Sequence, residues 1–154
     1  MTRESTFHCR CWEIAVGPDE VEDVLATLRK QSPAVIVQVF GASRAPNAAA
    51  VEMVAAQTLA AMKSGSTLAD RPELDLLLRL AGTRQIGEAF KRAGYKSSAR
   101  RLFIVAASGG NASALARLVR QLEKDRRFKE VAKKKLGKED LEAVERAALL
   151  AAKL

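Results

Sequence analysis

Few residues of this chain have side chains able to act on a substrate. His8 is the sole histidine, so a His-based triad or a multi-histidine metal site has nothing to be built from. With Cys9 and Cys11 it forms a His-Cys-x-Cys run whose two thiols would share one strand face. A closed zinc site takes four ligands, usually two separated pairs, and no second pair exists. The cysteines therefore read as core thiols and no metal is expected. Ser108-Gly109-Gly110-Asn111 joins an apolar stretch to a helical pattern, a place where backbone N–H groups can cradle an anion. It lacks the lysine of a P-loop and the third glycine of a dinucleotide fingerprint, so it reads first as a tight turn with a Ser or Asn helix cap. Carboxylates are scattered along exposed helical positions. No catalytic residue and no cofactor are expected.

What remains is charge. The 154 residues carry 26 Lys+Arg against 18 Asp+Glu, a net of +8. The surplus is confined to residues 71–101, with eight basic against three acidic, and 117–138, with ten against three. Residues 102–116 between them are uncharged, and the flanks 1–70 and 139–154 each carry −2. Two localised basic blocks point to a polyanion, nucleic acid first. In the first, Arg84, Glu88, Lys91 and Arg92 lie opposite Ile86, Ala89, Phe90 and Ala93 on a helical wheel, with Lys96, Arg100 and Arg101 beyond. In the second, Arg117, Arg120, Lys124 and Arg127 fall on one stripe away from the leucines, which suits contacts to backbone phosphates. Seven aromatic residues are too few for a base-stacking platform of the RNA-recognition-motif kind.

The elements that must position these residues follow from periodicity. Residues 7–16 alternate and are rich in β-formers, 34–40 and 102–107 are almost wholly apolar, and all three read as strands. Asp19 reads as the cap of a helix burying Val21, Val24, Leu25 and Leu28. A second helix, with Val51, Ala55, Thr58, Leu59 and Met62 inward, stops near Gly65. Asp70-Arg71-Pro72-Glu73 starts a third through the leucine-dense 74–80, and Thr83 caps a fourth that ends at Gly94. A fifth follows Asn111, burying Leu115, Leu118, Val119 and Leu122. Gly137 interrupts the last helical region, and 138–154 forms the final helix with Leu141, Val144, Ala148 and Ala151 along one side. These make a single α/β or α+β domain over 1–154: a small mixed sheet of three to four strands packed by five to six helices. No apolar run is long enough to span a bilayer, no signal-peptide stretch opens the chain, and two cysteines fit a cytoplasmic location.

The block Leu77-Leu-Arg-Leu-Ala-Gly-Thr-Arg-Gln-Ile86, followed by Ala89-Phe-Lys-Arg-Ala-Gly94, resembles the most characteristic segment of the small kinase-binding subunit of the KEOPS (EKC) complex, the TPRKB-type family, in its archaeal form. The 33–40 strand, the alanine-rich helix after it and the closing helix match that family's order, so the resemblance spans about residues 7–154. It implies a non-catalytic subunit of a complex that makes threonylcarbamoyladenosine in tRNA. Such a subunit docks on the kinase/ATPase subunit, works indirectly with the threonylcarbamoyl-transferase subunit, and holds tRNA at its single-stranded 3′ CCA end. Carried over by position, Gly82, Thr83, Arg84, Gln85 and Ile86 would contact tRNA, and electrostatics adds Lys91, Arg92 and Lys96. Leu76, Leu77, Leu141, Val144, Ala148 and Leu149 are expected at the kinase contact. The Lys/Arg-rich 124–138 stretch departs from the family, many of whose members are more acidic there. The competing expectations are a small nucleotide-binding enzyme using the Gly109-Gly110 turn, and an oligomerisation module using the closing helix.

Overall fold

The alternation that marks residues 7–14 has a clear structural consequence. In the computed structural model, which describes residues 7–94, 101–110 and 112–152, strand β1 (Phe7–Ile14) turns Cys9 and Cys11 to one face and Trp12 and Ile14 to the other. Strands β2 (Ile36–Ala42) and β3 (Arg101–Gly109) are buried on both faces, as their unbroken apolar runs require. The sheet order is β2-β3-β1-β4, with β4 (Phe128–Glu130) at the far edge. β3 lies between β1 and β2 and pairs antiparallel with each, placing Trp12 opposite Ile104 and Ile36 opposite Ala107. β4 also pairs antiparallel with β1. Within the α+β class the sheet is therefore antiparallel throughout rather than mixed.

Helices cover both faces. Helix α1 (Pro18–Gln31) and helix α5 (Ala112–Glu123) pack Val21, Leu25, Leu28, Leu115, Leu118 and Leu122 against Trp12, Val37, Val39 and Ile104. Helices α2 (Ala48–Ser64), α3 (Pro72–Ala81), α4 (Ile86–Ala93) and α6 (Lys138–Ala152) cover the face carrying Cys11, Phe40, Phe103 and Val105.

Four local expectations change. Gly17, not Asp19, is the N-cap of α1, and Asp19 sits in its first turn, where it complements the helix dipole. Met62 of α2 is exposed, and Val54 and Ala61 take the inward positions instead. The basic stretch after α5 holds a strand rather than a helix, because Phe128 enters the core and the backbone pairs with Trp12–Ile14. Helix α6 is rotated from the predicted side: Ala147 is buried and Ala143, Val144 and Leu150 are half-buried, while Leu141, Ala148 and Ala151 face out.

Candidate nucleic-acid interface

The leucines of α3 surround a charged pair. Asp75 and Arg79, four residues apart, are 0% and 3% exposed, and Arg79 Nε donates to Asp75 Oδ1 at 2.7 Å. The same carboxylate accepts from the Thr58 hydroxyl at 2.6 Å and from the Leu68 backbone N–H at 2.8 Å. Gln57 accepts from Arg79 and donates to the Val144 carbonyl. The network thus joins α2, the loop before α3, α3 and α6. A buried ion pair survives desolvation only when its remaining donors and acceptors are satisfied, as these are. The consequence is a rigid α3, and with it a fixed position for the turn at its C-terminus.

That turn is built on Gly82. It adopts φ +74°, donates to the carbonyls of Leu78 and Arg79, and lets the Thr83 N–H reach Leu78 O at 3.2 Å. This is a left-handed helix stop of the Schellman kind, which glycine enters without steric cost. A Cβ on Gly82 would also come within 2.5 Å of Arg146 Nε, because α6 lays that guanidinium across the turn. The Thr83 hydroxyl accepts from the Gln85 N–H at 3.1 Å, so the turn runs into α4 with Gln85 as its N-cap residue; Thr83 supports the start from two residues upstream. Arg92 closes the unit. Its guanidinium donates to Glu88 at 3.0 Å and to the carbonyls of Ala81 and Gly82 at 3.4 and 3.3 Å.

Eight residues long, α4 buries only Ala89 and Ala93. Ile86 and Phe90, expected on the inward face, are 47% and 46% exposed. Arg84, Gln85, Lys91 and Arg92 are exposed, Gly82 and Thr83 are half-buried, and Lys96 lies outside the described residues. Beside this turn is a pocket of about 300 Å³. Its walls are Phe40, Gly41, Ala42, Pro46, Val51, Val54, Leu80, Ala81 and Ala93, with Arg79, Arg92, Asn47 and Asp140 as polar groups. Hydrogen bonds from the Gly137 N–H and the Asn47 side chain hold the Asp140 carboxyl below its ordinary range. An apolar slot of this kind, with Arg92, Asn47 and the Asp140 carboxylate as its polar groups and Arg79 committed to Asp75 and Gln57, can take a flat ring.

The predicted protein-contact residues divide. Leu141 and Leu149 are 51% and 53% exposed and Ala148 is exposed, so these three are available to a partner. Val144 is half-buried against the core. Leu76 and Leu77 are buried to 0% and 1% and cannot meet another protein, because α3 is enclosed by β2, α2, α4 and α6. Sequence reasoning missed Arg79 and Arg146. The signal for Arg79 was available: a charge pair embedded among Leu74, Leu76, Leu77, Leu78 and Leu80 leaves its helix no solvent face.

The second basic block is less continuous than its spacing suggests. Arg117 and Arg120 line the outer side of α5, but the helix ends at Glu123. Lys124 and Arg127 lie beyond it, and Arg127 folds onto Asp125 at 2.8 Å and over the Phe128 ring. Burial raises the Cys9 thiol, aided by neighbouring Cys11, and pushes Cys11 up to about 12. Both stay protonated near neutral pH, as suits core thiols rather than nucleophiles. Among the described residues no group of three or more His, Cys, Asp or Glu is placed to hold a metal. Gly110 adopts φ +115° after β3, and the expected Asn111 cap lies outside the described residues. Among the described residues no helix is long and apolar enough to cross a membrane. The chain matches no protein-family model and no curated protein.

Proposed function

We propose that this chain is a non-catalytic adaptor that holds the single-stranded 3′ CCA end of tRNA at the Gly82–Arg92 unit and presents it to a kinase-type partner. The observation that supports this most is that one turn-and-helix unit carries both the exposed Arg84–Ile86 segment, Phe90 and Lys91 and, at Ala81, Arg92 and Ala93, part of the wall of an apolar pocket. RNA is read mainly where bases are unstacked, splayed onto apolar or guanidinium surfaces and hydrogen-bonded at their edges. Ile86 and Phe90 offer the surface, the pocket offers a slot for one ring, and Arg84 and Gln85 offer directional donors. The neighbouring cations supply phosphate attraction that weakens with salt. The resemblance of the Gly82-Thr83-Arg84-Gln85-Ile86 block to the KEOPS small subunit supports the same assignment, with threonylcarbamoyladenosine formation as the pathway and the cytosol as the location. Leu141, Ala148 and Leu149 on the outer side of α6 supply the surface for the kinase/ATPase subunit, and the threonylcarbamoyl-transferase subunit is met indirectly.

Paired variants test this division. Arg84→Ala should weaken tRNA binding about tenfold, the effect of roughly 1.4 kcal/mol from one charge-assisted contact, and leave co-elution with the cognate kinase subunit intact. Leu149→Glu should do the reverse. Loss of both activities in either variant, or of neither in both, refutes the assignment.

A further inference from the structure

The sheet's outer edge at β1 is paired along only part of its length. β4 meets β1 at Trp12, Glu13 and Ile14, and the last backbone bond of that edge runs from the Val131 N–H to the Cys11 carbonyl at 2.8 Å. Past Val131 the chain turns away: the Ala132 carbonyl accepts from the Ala48 N–H of α2, and Lys133 pairs with Glu52 at 3.0 Å. Among the described residues, no strand continues alongside Phe7–Arg10. Peptide groups on a strand alternate in direction. Cys11 and Ala15 bond outward to Val131 and Arg127, so Cys9 and Phe7 direct their N–H and C=O groups to the same side.

A pocket of about 420 Å³ occupies this fork. It straddles the sheet edge, with Ala112, Ala116 and Val119 of α5 on one side and Glu52 and Lys133 on the other. Its charged lining is Arg10, Arg120, Lys133 and Glu52. Arg10 is paired with Glu130 at the groove's end and Lys133 with Glu52. Arg120 and the exposed Arg117, Lys134 and Lys135 nearby in sequence leave the surroundings net basic. At the opposite edge of the sheet two backbone groups of β2 are capped by side chains. There Arg29 Nε donates to the Val37 carbonyl at 2.9 Å, and Gln38 Oε1 accepts from the Val39 N–H at 2.9 Å. An edge that carries no such caps is a template for another strand.

We infer that the Phe7–Arg10 edge of β1 and the groove beside it bind an extended acidic segment of a partner protein as an added strand. Its carboxylates sit on Arg120 and on Arg10, which exchanges from Glu130, and Lys133 at the far wall adds positive charge. Four residues of β1 offer about 13 Å of edge at ~3.3 Å per residue, enough for two outward-facing residues to pair. Main-chain bonds give strand addition its affinity, and the groove walls select side chains. The small residues Ala112 and Ala116 leave room beside α5 for the partner's carboxylate side chains to reach Arg120 and Arg10, while its alternate apolar side chains fall on the Phe7 and Cys9 face of the strand. A polynucleotide would use the cations but has no use for a strand edge. The groove lies at the β1 edge and the Gly82 pocket at the β2 side, so neither assignment depends on the other.

The probe is a fluorescein-labelled eight-residue peptide of alternating valine and glutamate, titrated against the full chain by anisotropy. Saturable binding is expected, at least tenfold weaker for the valine–lysine counterpart and at least tenfold weaker with Arg120→Glu/Lys133→Glu. N-methylation of alternate peptide amides should abolish binding in one register and leave it within twofold in the other, because only one set faces β1. Arg84→Ala should leave this binding unchanged. No binding, equal loss from both N-methylated registers, indifference to Arg120→Glu/Lys133→Glu, or displacement by a single-stranded oligonucleotide at stoichiometric concentration would each overturn the inference.

Discussion

The two lateral edges of the sheet are finished in opposite ways. At β2 two outward peptide groups, the Val37 carbonyl and the Val39 N–H, are taken by Arg29 and by Gln38, whose own amide donates to the Glu73 carbonyl. At β1, pairing stops at Cys11 and a groove opens. The difference assigns different kinds of recognition to the two sides. Beside the closed edge, contacts must be made by side chains on a rigid turn, the Gly82–Arg92 unit. Beside the open edge, the backbone itself is available.

The most severe way to break the comparison is to remove the support that holds the closed side rigid. Asp75→Ala should strand the Arg79 guanidinium in the interior and destabilise the fold by about 3–5 kcal/mol. Thermal unfolding should then show a midpoint lower by roughly 10 °C or more, with tRNA binding lost in parallel. A shift of only a degree or two would show that the Asp75–Arg79 pair does not organise this side.

A milder change converts one edge into the other. Arg29 is half-buried, and desolvation holds its guanidinium below its ordinary value, with the Glu73 carboxylate opposing. Arg29→Ala uncovers the Val37 carbonyl, at a cost of about 1–2 kcal/mol. It should also introduce concentration-dependent self-association, read by analytical ultracentrifugation. A variant that stays monomeric at every concentration would mean that the caps do not protect the edge.

The smallest effect concerns how β1 is held to β3. Arg101 donates twice to Glu13, and these bonds lower the Glu13 carboxyl below its ordinary value. A depressed carboxylate contributes stability above the unfolded pKa of about 4.3, and that contribution is lost as pH falls through the folded value. Glu13→Gln should therefore lose less stability than the wild type between pH 7 and pH 3 in denaturant titrations. An unchanged acid limb would show that the pair adds nothing to strand pairing.

Much of the closed side was legible in the sequence. Pro72 and Gly82 bracket α3, the run before Gly41 marks a strand buried on both faces, and the Gly82–Ile86 block stands out by its residues alone. Periodicity groups Ile86, Ala89, Phe90 and Ala93 on one helix face but cannot say how much of that face is covered; an eight-residue helix over a turn buries only the two alanines. For the same reason a dense leucine run does not show whether Leu76 and Leu77 face a partner or the core. The open edge was hardly legible at all. β4 has one buried residue and exists through its pairing with β1, a long-range property that no local pattern encodes. Its lysines and arginines made the segment read as helix surface.

If the Gly82–Arg92 unit holds a single-stranded RNA end, the RNA itself is the most direct test. Purified chain should be titrated with one tRNA transcript in two forms, intact and lacking its terminal CCA, at fixed ionic strength. Binding at least tenfold weaker is expected for the shortened form. Equal affinity for the two would contradict the assignment of the CCA end to this unit.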